Sequence, residues 1–334
     1  MKLKVVFGIV VSLVFTYFAF RDTNFGEVWQ ALKSVDYIWL LPALLSMGLS
    51  HFLRAVRWHY LCEPIKYIKT GPLFSATMIG YAANNIFPLR LGEFFRAYAL
   101  AQSQVISKTS VFATIIVDRL LDILSLVVLM AVSVYFLPEN SSEDSIIPMI
   151  KQGGYFVSAG AVALIVVMIL MMQKTDATLS FFSKFLPHKL FGLLNKTVRS
   201  FLQGFMVFKK AEHYIAISTL SILIWLLYSG TVFFSFVAFR FELGYGAAIV
   251  LLVIISLGLM IPSSPGFIGT YHLFCKAGLA IYAIGDVEAV SFAVISHAMN
   301  TVPFTFVGLY YFWRENLSFS TINVKEPVGE ENNN

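Results

Sequence analysis

The sequence predicts an all-α, polytopic helical membrane protein, and three observations carry that prediction. Apolar residues make up 58% of the 334 residues and charged residues only 13%, whereas soluble domains average about 45 to 50% apolar. Apolar runs recur along the chain, each near the roughly 20 residues that a helix needs to cross the hydrocarbon core. Two further apolar runs are interrupted by Pro, Gly and polar residues. We therefore expect about six full spans and two broken or re-entrant segments.

The predicted spans follow one another from the first residues to the end of the apolar region. The first follows Lys2 and Lys4, as a signal peptide would, but it lacks a small-x-small cleavage site, so we interpret it as a membrane anchor. An integral membrane domain is predicted over residues 1–315, and the polar tail at 316–334 has a composition typical of disorder. The predicted full spans cover residues 3–20, 37–56, 111–136, 155–172, 215–239 and 287–312.

Loop charges predict the orientation, because short cytoplasmic loops carry an excess of Lys and Arg. The acidic connection around 138–152 is expected outside, and the basic connection at 174–212 in the cytoplasm, where residues 187–208 predict an amphipathic interfacial helix. Basic residues flank segment 71–89 on both sides, so both of its ends are expected in the cytoplasm. A single span would place its two ends on opposite sides of the membrane. We therefore expect 71–89 to enter and leave on the cytoplasmic side, in a multi-pass protein of the plasma (inner) membrane with both termini cytoplasmic.

The second interrupted run, at 247–284, contains the sequence "IPSSPGFIGTY". Both this run and "PLRLGEFFRAY" place a proline four residues before a glycine, with a tyrosine soon after. Paired interruptions of this kind are typical of transporters with inverted repeats and a binding site at the midplane. An inverted repeat is therefore a hypothesis, with irregular backbone buried in protein or lining a wet cavity.

The strongest candidate for chemistry is "VDRLLD", because ionisable residues inside a membrane are costly and mark functional sites by default. Asp118 and Asp122 share a helix face, and Arg119 can pair with Asp122. A purely structural alternative is that this ion pair only fixes the helix to a neighbour. Arginine binds phosphate oxygens bidentately, and acids can orient it. The residues expected to join this helix in a substrate site are Asn84, Asn85, Arg90, Glu93 and Arg96.

Other polar residues allow more than one interpretation. Arg57 is interpreted as an interfacial residue beside Trp58, whereas Arg54 and His51 stay undecided. His297 and Asn300 lie three residues apart on one helix face, and such polar pairs often serve only as interhelical hydrogen-bonding groups. A proton-relay role for His297 is the other alternative. Further candidates for substrate contact are Tyr271, His272, His297 and Asn300.

Several function classes find no support in the sequence. Cys62 and Cys275 are too few for a disulfide framework or a metal site, and no metal or cofactor is expected. The formal charge of +5 comes from residues that flank apolar runs, so lipid headgroups fit it better than nucleic acid does. No nucleotide-binding or catalytic motif is present, which favours a protein that is not an enzyme.

The motifs "NNIFPLRLGEFFRAYAL", "VFATIIVDRLLDILSLVVL", "IPSSPGFIGTYHLF" and "ISHAMNTVPFTFVGLYY" resemble the lysylphosphatidylglycerol synthase transmembrane region family of flippase-like proteins. Many members have a glutamate where this chain has Gly269, so no role is carried over through that acid. The resemblance implies translocation or handling of lipids by a member without a soluble synthase domain.

These observations predict membrane lipid transport, in which the Arg and acid residues bind an anionic phospholipid or a polyprenyl-phosphate lipid. One alternative is a membrane-embedded component of lipid-linked glycosyl or aminoacyl transfer, with Asp118 or Glu93 as base. Another is a scaffold for a cytoplasmic lipid-modifying enzyme, which would be the partner of the amphipathic helix.

Overall fold

A computed structural model describes residues 2–21, 23–87, 91–138, 211–261 and 264–317, with five further residues between 152 and 160. The regular structure in this part of the chain is entirely helical, which confirms the predicted fold class. The long helices are α1 (Lys2–Phe20), α2 (Phe25–Lys33), α3 (Leu40–Cys62), α4 (Thr70–Ile86), α5 (Gly92–Gln104), α6 (Lys108–Ser133), α7 (Ala211–Ala238), α8 (Tyr245–Leu259), α9 (Thr270–Ala280) and α10 (Asp286–Arg314).

Three helices in the described residues are long and apolar enough to cross a membrane, namely Tyr37–Cys62, His213–Ala238 and Asp286–Arg314. They coincide with the predicted spans at 37–56, 215–239 and 287–312, and α1 and α6 coincide with two more. Large side chains such as Leu13, Leu45 and Phe306 are exposed, as expected for surfaces that face lipid. Apart from four helical residues between 155 and 160, the predicted span at 155–172 lies outside the described residues. The predicted amphipathic helix at 187–208 and the tail beyond residue 317 also lie outside them.

The first interrupted run differs in detail from the prediction. Helix α4 is continuous from Thr70 to Ile86, so the chain leaves the helix only at Phe87 and becomes helical again at Gly92. The interruption therefore lies between two helices and not within one. A side chain on Gly92 would collide with the carbonyl oxygen of Gly80, because the backbones of α4 and α5 cross closely.

The second interrupted run is broken internally. Helix α8 ends at Leu259, a short 3-10 turn covers Pro265–Phe267, and α9 begins at Thr270. The backbone φ is positive at Gly266 (67°) in this turn and at Gly269 (84°) directly before α9, a conformation that glycine adopts without strain. A Cβ atom on Gly266 would lie 3.5 Å from the carbonyl oxygen of Asn85. This turn therefore meets the end of α4.

The four helices α3, α4, α7 and α10 form the centre of the structure, with α3 packed against α7 and α4 against α10. Gly308 allows α10 to approach the backbone of α4 at Met78. One apolar core surrounds Trp58 and Ile115, and another surrounds Phe236, which packs against α8, α9 and α10.

Candidate functional site

Helix α6 supplies the acids of a buried charged cluster. Asp118 and Asp122 are one helical turn apart and both face the interior, with Asp118 completely buried. The side chain of Arg119 points differently and is 40% exposed. Because an uncompensated buried carboxylate costs several kcal/mol, these two acids require cationic partners from neighbouring helices.

Arg57, on α3, is the most completely bonded of those partners. Its Nε and Nη2 donate to Asp118 Oδ1 at 3.0 and 2.7 Å, and Nη2 also donates to Asp122 Oδ1 at 2.6 Å. Its Nη1 donates to Ser221 Oγ at 3.0 Å. One fully buried guanidinium thus joins α3, α6 and α7.

Arg54 lies one turn earlier on α3 and is also buried. Its Nη2 donates to Asp122 Oδ2 at 2.6 Å, and its Nη1 lies 4.0 Å from Asp118 Oδ2. Its Nε and Nη1 have no hydrogen-bond partner. Arg54 therefore has donors that are free for another acceptor.

Helix α5 completes the cluster with Glu93 and Arg96. Arg96 Nη1 donates to Asp118 Oδ2 at 2.9 Å, and its guanidinium carbon lies 3.8 Å from the ring centre of Trp58. Its Nε and Nη2 have no hydrogen-bond partner. Arg119 donates to Glu93 Oε1 and, at 3.3 Å, to Asp122 Oδ2.

We call these seven residues the arginine cluster. Four guanidinium groups face three carboxylates, so the cluster has a net charge of plus one. Its buried donors are preorganised by their bonds to the acids, and four guanidinium nitrogens lack a hydrogen-bond partner. An anion with several oxygens matches both properties. The members are Arg54, Arg57, Glu93, Arg96, Asp118, Arg119 and Asp122.

A narrow recess lies beside the cluster, between α4, α5 and α6. Within it, Asn84 Oδ1 accepts a hydrogen bond of 2.8 Å from the backbone N–H of Gly92. The recess admits only about one water molecule, so a lipid headgroup requires the helices to separate. It is lined by Thr77, Gly80, Tyr81, Asn84, Gly92, Glu93, Arg96 and Arg119.

The structure brings six of the predicted site residues to the cluster or its recess: Asn84, Glu93, Arg96, Asp118, Arg119 and Asp122. Asn85 instead points to α10, where its Nδ2 donates to Thr305 Oγ1 at 2.8 Å. The predicted site residue Arg90 lies outside the described residues.

The remaining four predicted residues gather at the second interruption. His297 Nε2 and the carbonyl oxygen of Gly266 are 2.6 Å apart. The ring of His297 lies 5.0 Å from those of Tyr271 and His272, and Asn300 lies one turn further along α10. The candidate residues thus form two groups, joined where the Gly266 turn meets the end of α4.

Sequence reasoning missed the two arginines on α3. The interpretation of Arg57 as an interfacial residue was wrong, because Arg57 is completely buried. The missed signal was the spacing of His51, Arg54 and Arg57, which puts three polar residues on one face of an apolar helix. His51 is buried against Tyr81 and Phe304, with ring centres 4.2 and 4.6 Å away, and neither ring nitrogen has a hydrogen-bond partner.

These features define an α-helical integral membrane protein with a buried, net positive site formed by α3, α5 and α6. Comparison with known proteins is more specific. A sequence model of the lysylphosphatidylglycerol synthase TM region matches residues 5–308. The chain belongs to this family, which confirms the expectation from its motifs.

Relatives with partial similarity are archaeal. The chain is 26% identical over 162 residues to glycosyltransferase AglD of Haloferax volcanii, covering 48% of this chain and 26% of that protein. It is 35% identical over 101 residues to a UPF0104 membrane protein of Methanothermobacter thermautotrophicus, covering 29% and 30%. It is 25% identical over 128 residues to UPF0104 membrane protein MJ1595 of Methanocaldococcus jannaschii, covering 36% and 38%. The matches therefore span well under half of each relative.

Proposed function

We propose that this protein binds the phosphate of an anionic lipid at the arginine cluster and moves that headgroup across the membrane. The lipid is an anionic phospholipid or a polyprenyl-phosphate lipid. The observation that carries the proposal is the charge of the buried cluster, where four guanidinium groups face three carboxylates. A phosphate would neutralise the excess charge and accept hydrogen bonds from unpartnered guanidinium nitrogens.

The exposed edge of the cluster is the expected entry point. Arg119 is 40% exposed and bonded to Glu93, whereas Arg96 lies buried behind them with Nε and Nη2 unpartnered. A phosphate arriving at Arg119 competes with Glu93 for the same donors. Loss of that ion pair would leave the Arg96–Asp118 ion pair as the remaining described one between α5 and α6. A phosphate that then also displaces Asp118 from Arg96 would release α5 from α6 and open the recess.

The bonding of the acids favours binding over chemistry. Both oxygens of Asp118 and both oxygens of Asp122 accept hydrogen bonds from arginines. A general base needs access to the proton that it abstracts, and these carboxylates already serve as acceptors for guanidinium groups. For Asp118 and Asp122 this arrangement suits the orientation of arginines better than general-base catalysis. Glu93 bonds to Arg119 through Oε1 and keeps Oε2 without a hydrogen-bond partner, so Glu93 is the base that the enzymatic alternative would use.

The loop charges suggest where this binding occurs. We assign the arginine cluster to the cytoplasmic half of the membrane, with both termini in the cytoplasm, because basic residues flank α4 and α5 on both sides. Acyl chains would remain in lipid while the headgroup passes between the two interruptions. Such a polar path lowers the cost of moving a charge through hydrocarbon.

Reconstitution into vesicles tests the proposal. Labelled phosphatidylglycerol and a labelled polyprenyl phosphate are placed in one leaflet, and their appearance in the other is followed by chemical quenching. Arg119→Gln should slow movement roughly 10- to 100-fold, because hydrogen bonds to charged groups contribute about 1.5 to 3 kcal/mol. Arg240→Gln, which changes an exposed arginine in the turn after α7, is the matched control.

The two lipid classes give separate outcomes. Faster movement of one of them identifies the class of substrate. Equal rates for the wild type, Arg119→Gln and protein-free vesicles would disprove transport. Turnover of a lipid-linked sugar donor by the purified protein would favour the enzymatic alternative, and copurification of a cytoplasmic synthase without lipid movement would favour a scaffold.

A further inference from the structure

A buried histidine without hydrogen bonds lies directly beside the arginine cluster. His51 is 1% exposed, and neither of its ring nitrogens has a hydrogen-bond partner among the described residues. It shares a face of α3 with Arg54, one turn away, and the charge of Arg54 acts on it. Because buried polar groups are normally hydrogen-bonded, an unpaired imidazole at this position indicates a role that the resting protein does not use.

Aromatic side chains from three other helices surround His51. The rings of Tyr81, on α4, and Phe304, on α10, have centres 4.2 and 4.6 Å from its ring centre, and the ring of Tyr228, on α7, lies 6.3 Å away. The hydroxyl oxygens of Tyr81 and Tyr228 are 3.3 Å apart. Rings at these distances are already in contact, so a further group of atoms would have to displace a side chain, whereas a proton needs no space.

These neighbours suit a positively charged imidazolium. Aromatic faces within about 6 Å attract a cation, and tyrosine hydroxyl oxygens accept hydrogen bonds. The neighbour that opposes a proton on His51 is Arg54, which bonds to Asp122 through Nη2 and keeps Nε and Nη1 unpartnered. An anion that binds those free nitrogens would therefore favour a proton on His51.

The charge of the bound lipid decides whether that proton is needed. The arginine cluster has a net charge of plus one, from four guanidinium groups and three carboxylates. A phosphate diester, with a single negative charge, would neutralise it. A phosphate monoester, such as a polyprenyl phosphate, carries about two negative charges at pH 8. It would leave a buried negative charge, which is costly unless another group compensates it.

We propose that His51 takes up a proton when a phosphate monoester lipid binds the arginine cluster, and that it takes up none when a phosphate diester binds. This proposal rests on the proposed function, in which a lipid phosphate binds at the cluster. The proton cancels the second negative charge of the monoester, so that lipid and proton each strengthen the binding of the other. Tyr81 contacts His51 and also lines the recess beside Arg96, which gives the proton a route from the recess.

Proton uptake on lipid binding tests the proposal directly. Calorimetric titrations of the purified full chain in an uncharged detergent at pH 8, repeated in buffers of different ionisation enthalpy, count the protons taken up per lipid. A free polyprenyl phosphate is almost fully dianionic at this pH, because its second pKa is about 6. Wild-type protein should take up about one proton per polyprenyl phosphate and about none per phosphatidylglycerol.

Replacement of the histidine should remove this difference between the lipids. His51→Gln should reduce the uptake with polyprenyl phosphate to about zero, and should weaken binding of that lipid roughly 5- to 150-fold relative to phosphatidylglycerol. The matched control is His59→Gln, which changes a second histidine of α3 that lies outside the cluster and bonds to the carbonyl oxygen of Ile68. This variant should retain the proton uptake.

The outcomes separate this proposal from the one on which it rests. Equal proton uptake with both lipids by the wild type, or none with either, overturns the coupling and leaves the phosphate site intact, and this comparison needs no variant. Uptake that His51→Gln retains also overturns it, and would mean that the lipid phosphate itself binds the proton. Failure of the wild type to bind either lipid overturns both proposals.

Discussion

Removal of single charges from the arginine cluster should destabilise the protein unequally. Arg57→Met removes one guanidinium and leaves three arginines facing three acids. Asp118→Asn leaves four arginines facing two acids, a buried excess of two positive charges. Because breaking a buried ion pair costs about 3 to 5 kcal/mol, we expect a loss of about 3 kcal/mol for Arg57→Met and about 5 kcal/mol for Asp118→Asn.

Reversible unfolding of the purified protein in mixed micelles, with increasing SDS, measures this difference. Arg57→Lys should recover only part of the lost unfolding free energy. The planar guanidinium of Arg57 donates to Asp118, Asp122 and Ser221 at once, and a lysine ammonium cannot reproduce that geometry. Equal unfolding free energies for Arg57→Met and the wild type would refute the reasoning. A smaller loss for Asp118→Asn than for Arg57→Met would refute the argument from net charge.

Three further changes test other parts of the structure. Arg119→Gln should lower the unfolding free energy by less than Arg57→Met does, because Arg119 and Glu93 are 40% and 22% exposed whereas Arg57 and Asp118 are completely buried. A loss as large as that of Arg57→Met in the same SDS titration would contradict the placement of Arg119 at the edge of the cluster. Gly92→Ala should lower the melting temperature, since overpacking against Gly80 typically costs about 1 to 3 kcal/mol, whereas Gly71→Ala meets nothing within 4 Å and should leave it unchanged. Burial raises the pKa of Glu315, directly after α10, from 4.5 to about 7, so the protonated carboxyl contributes stability at low pH that is lost as the pH rises from about 4.5 to about 7. Glu315→Gln should therefore flatten the fall in melting temperature between pH 5 and 7, and identical slopes would disprove this.

The sequence predicted the helical membrane fold because hydrophobic length is a local property. Five of the predicted spans coincide with helices in the described residues. Helix α2 was missed because it is short and its apolar positions, such as Phe25 and Trp29, are exposed and not part of a long run. The interruption after α4 was predicted from proline and glycine, but its exact place depends on packing against α5, which no local pattern contains.

The candidate site was predictable only where its members are close in sequence. Asp118, Arg119 and Asp122 share one helix, so their spacing shows the pair directly. Arg54 and Arg57 are more than 60 positions away from the acids that they bind. Their spacing with His51 shows that they share one face of α3, but it does not show which carboxylates on another helix they bind.

The arginines of the cluster differ in how many of their guanidinium nitrogens already donate a hydrogen bond. This difference distinguishes the arginine that stabilises the fold from those that are able to bind a lipid phosphate. Arg57 is fully buried, and each of its guanidinium nitrogens donates to an acceptor within the protein, so a lipid phosphate would gain little from it. Arg54 and Arg96 are also buried, but each keeps two guanidinium nitrogens without a hydrogen-bond partner. The bonds to the acids hold them in place, and the remaining nitrogens are able to donate to a phosphate. Arg119 is exposed and its bond to Glu93 can exchange. A phosphate would therefore meet Arg119 first and Arg96 next, while Arg57 holds α3, α6 and α7 together throughout.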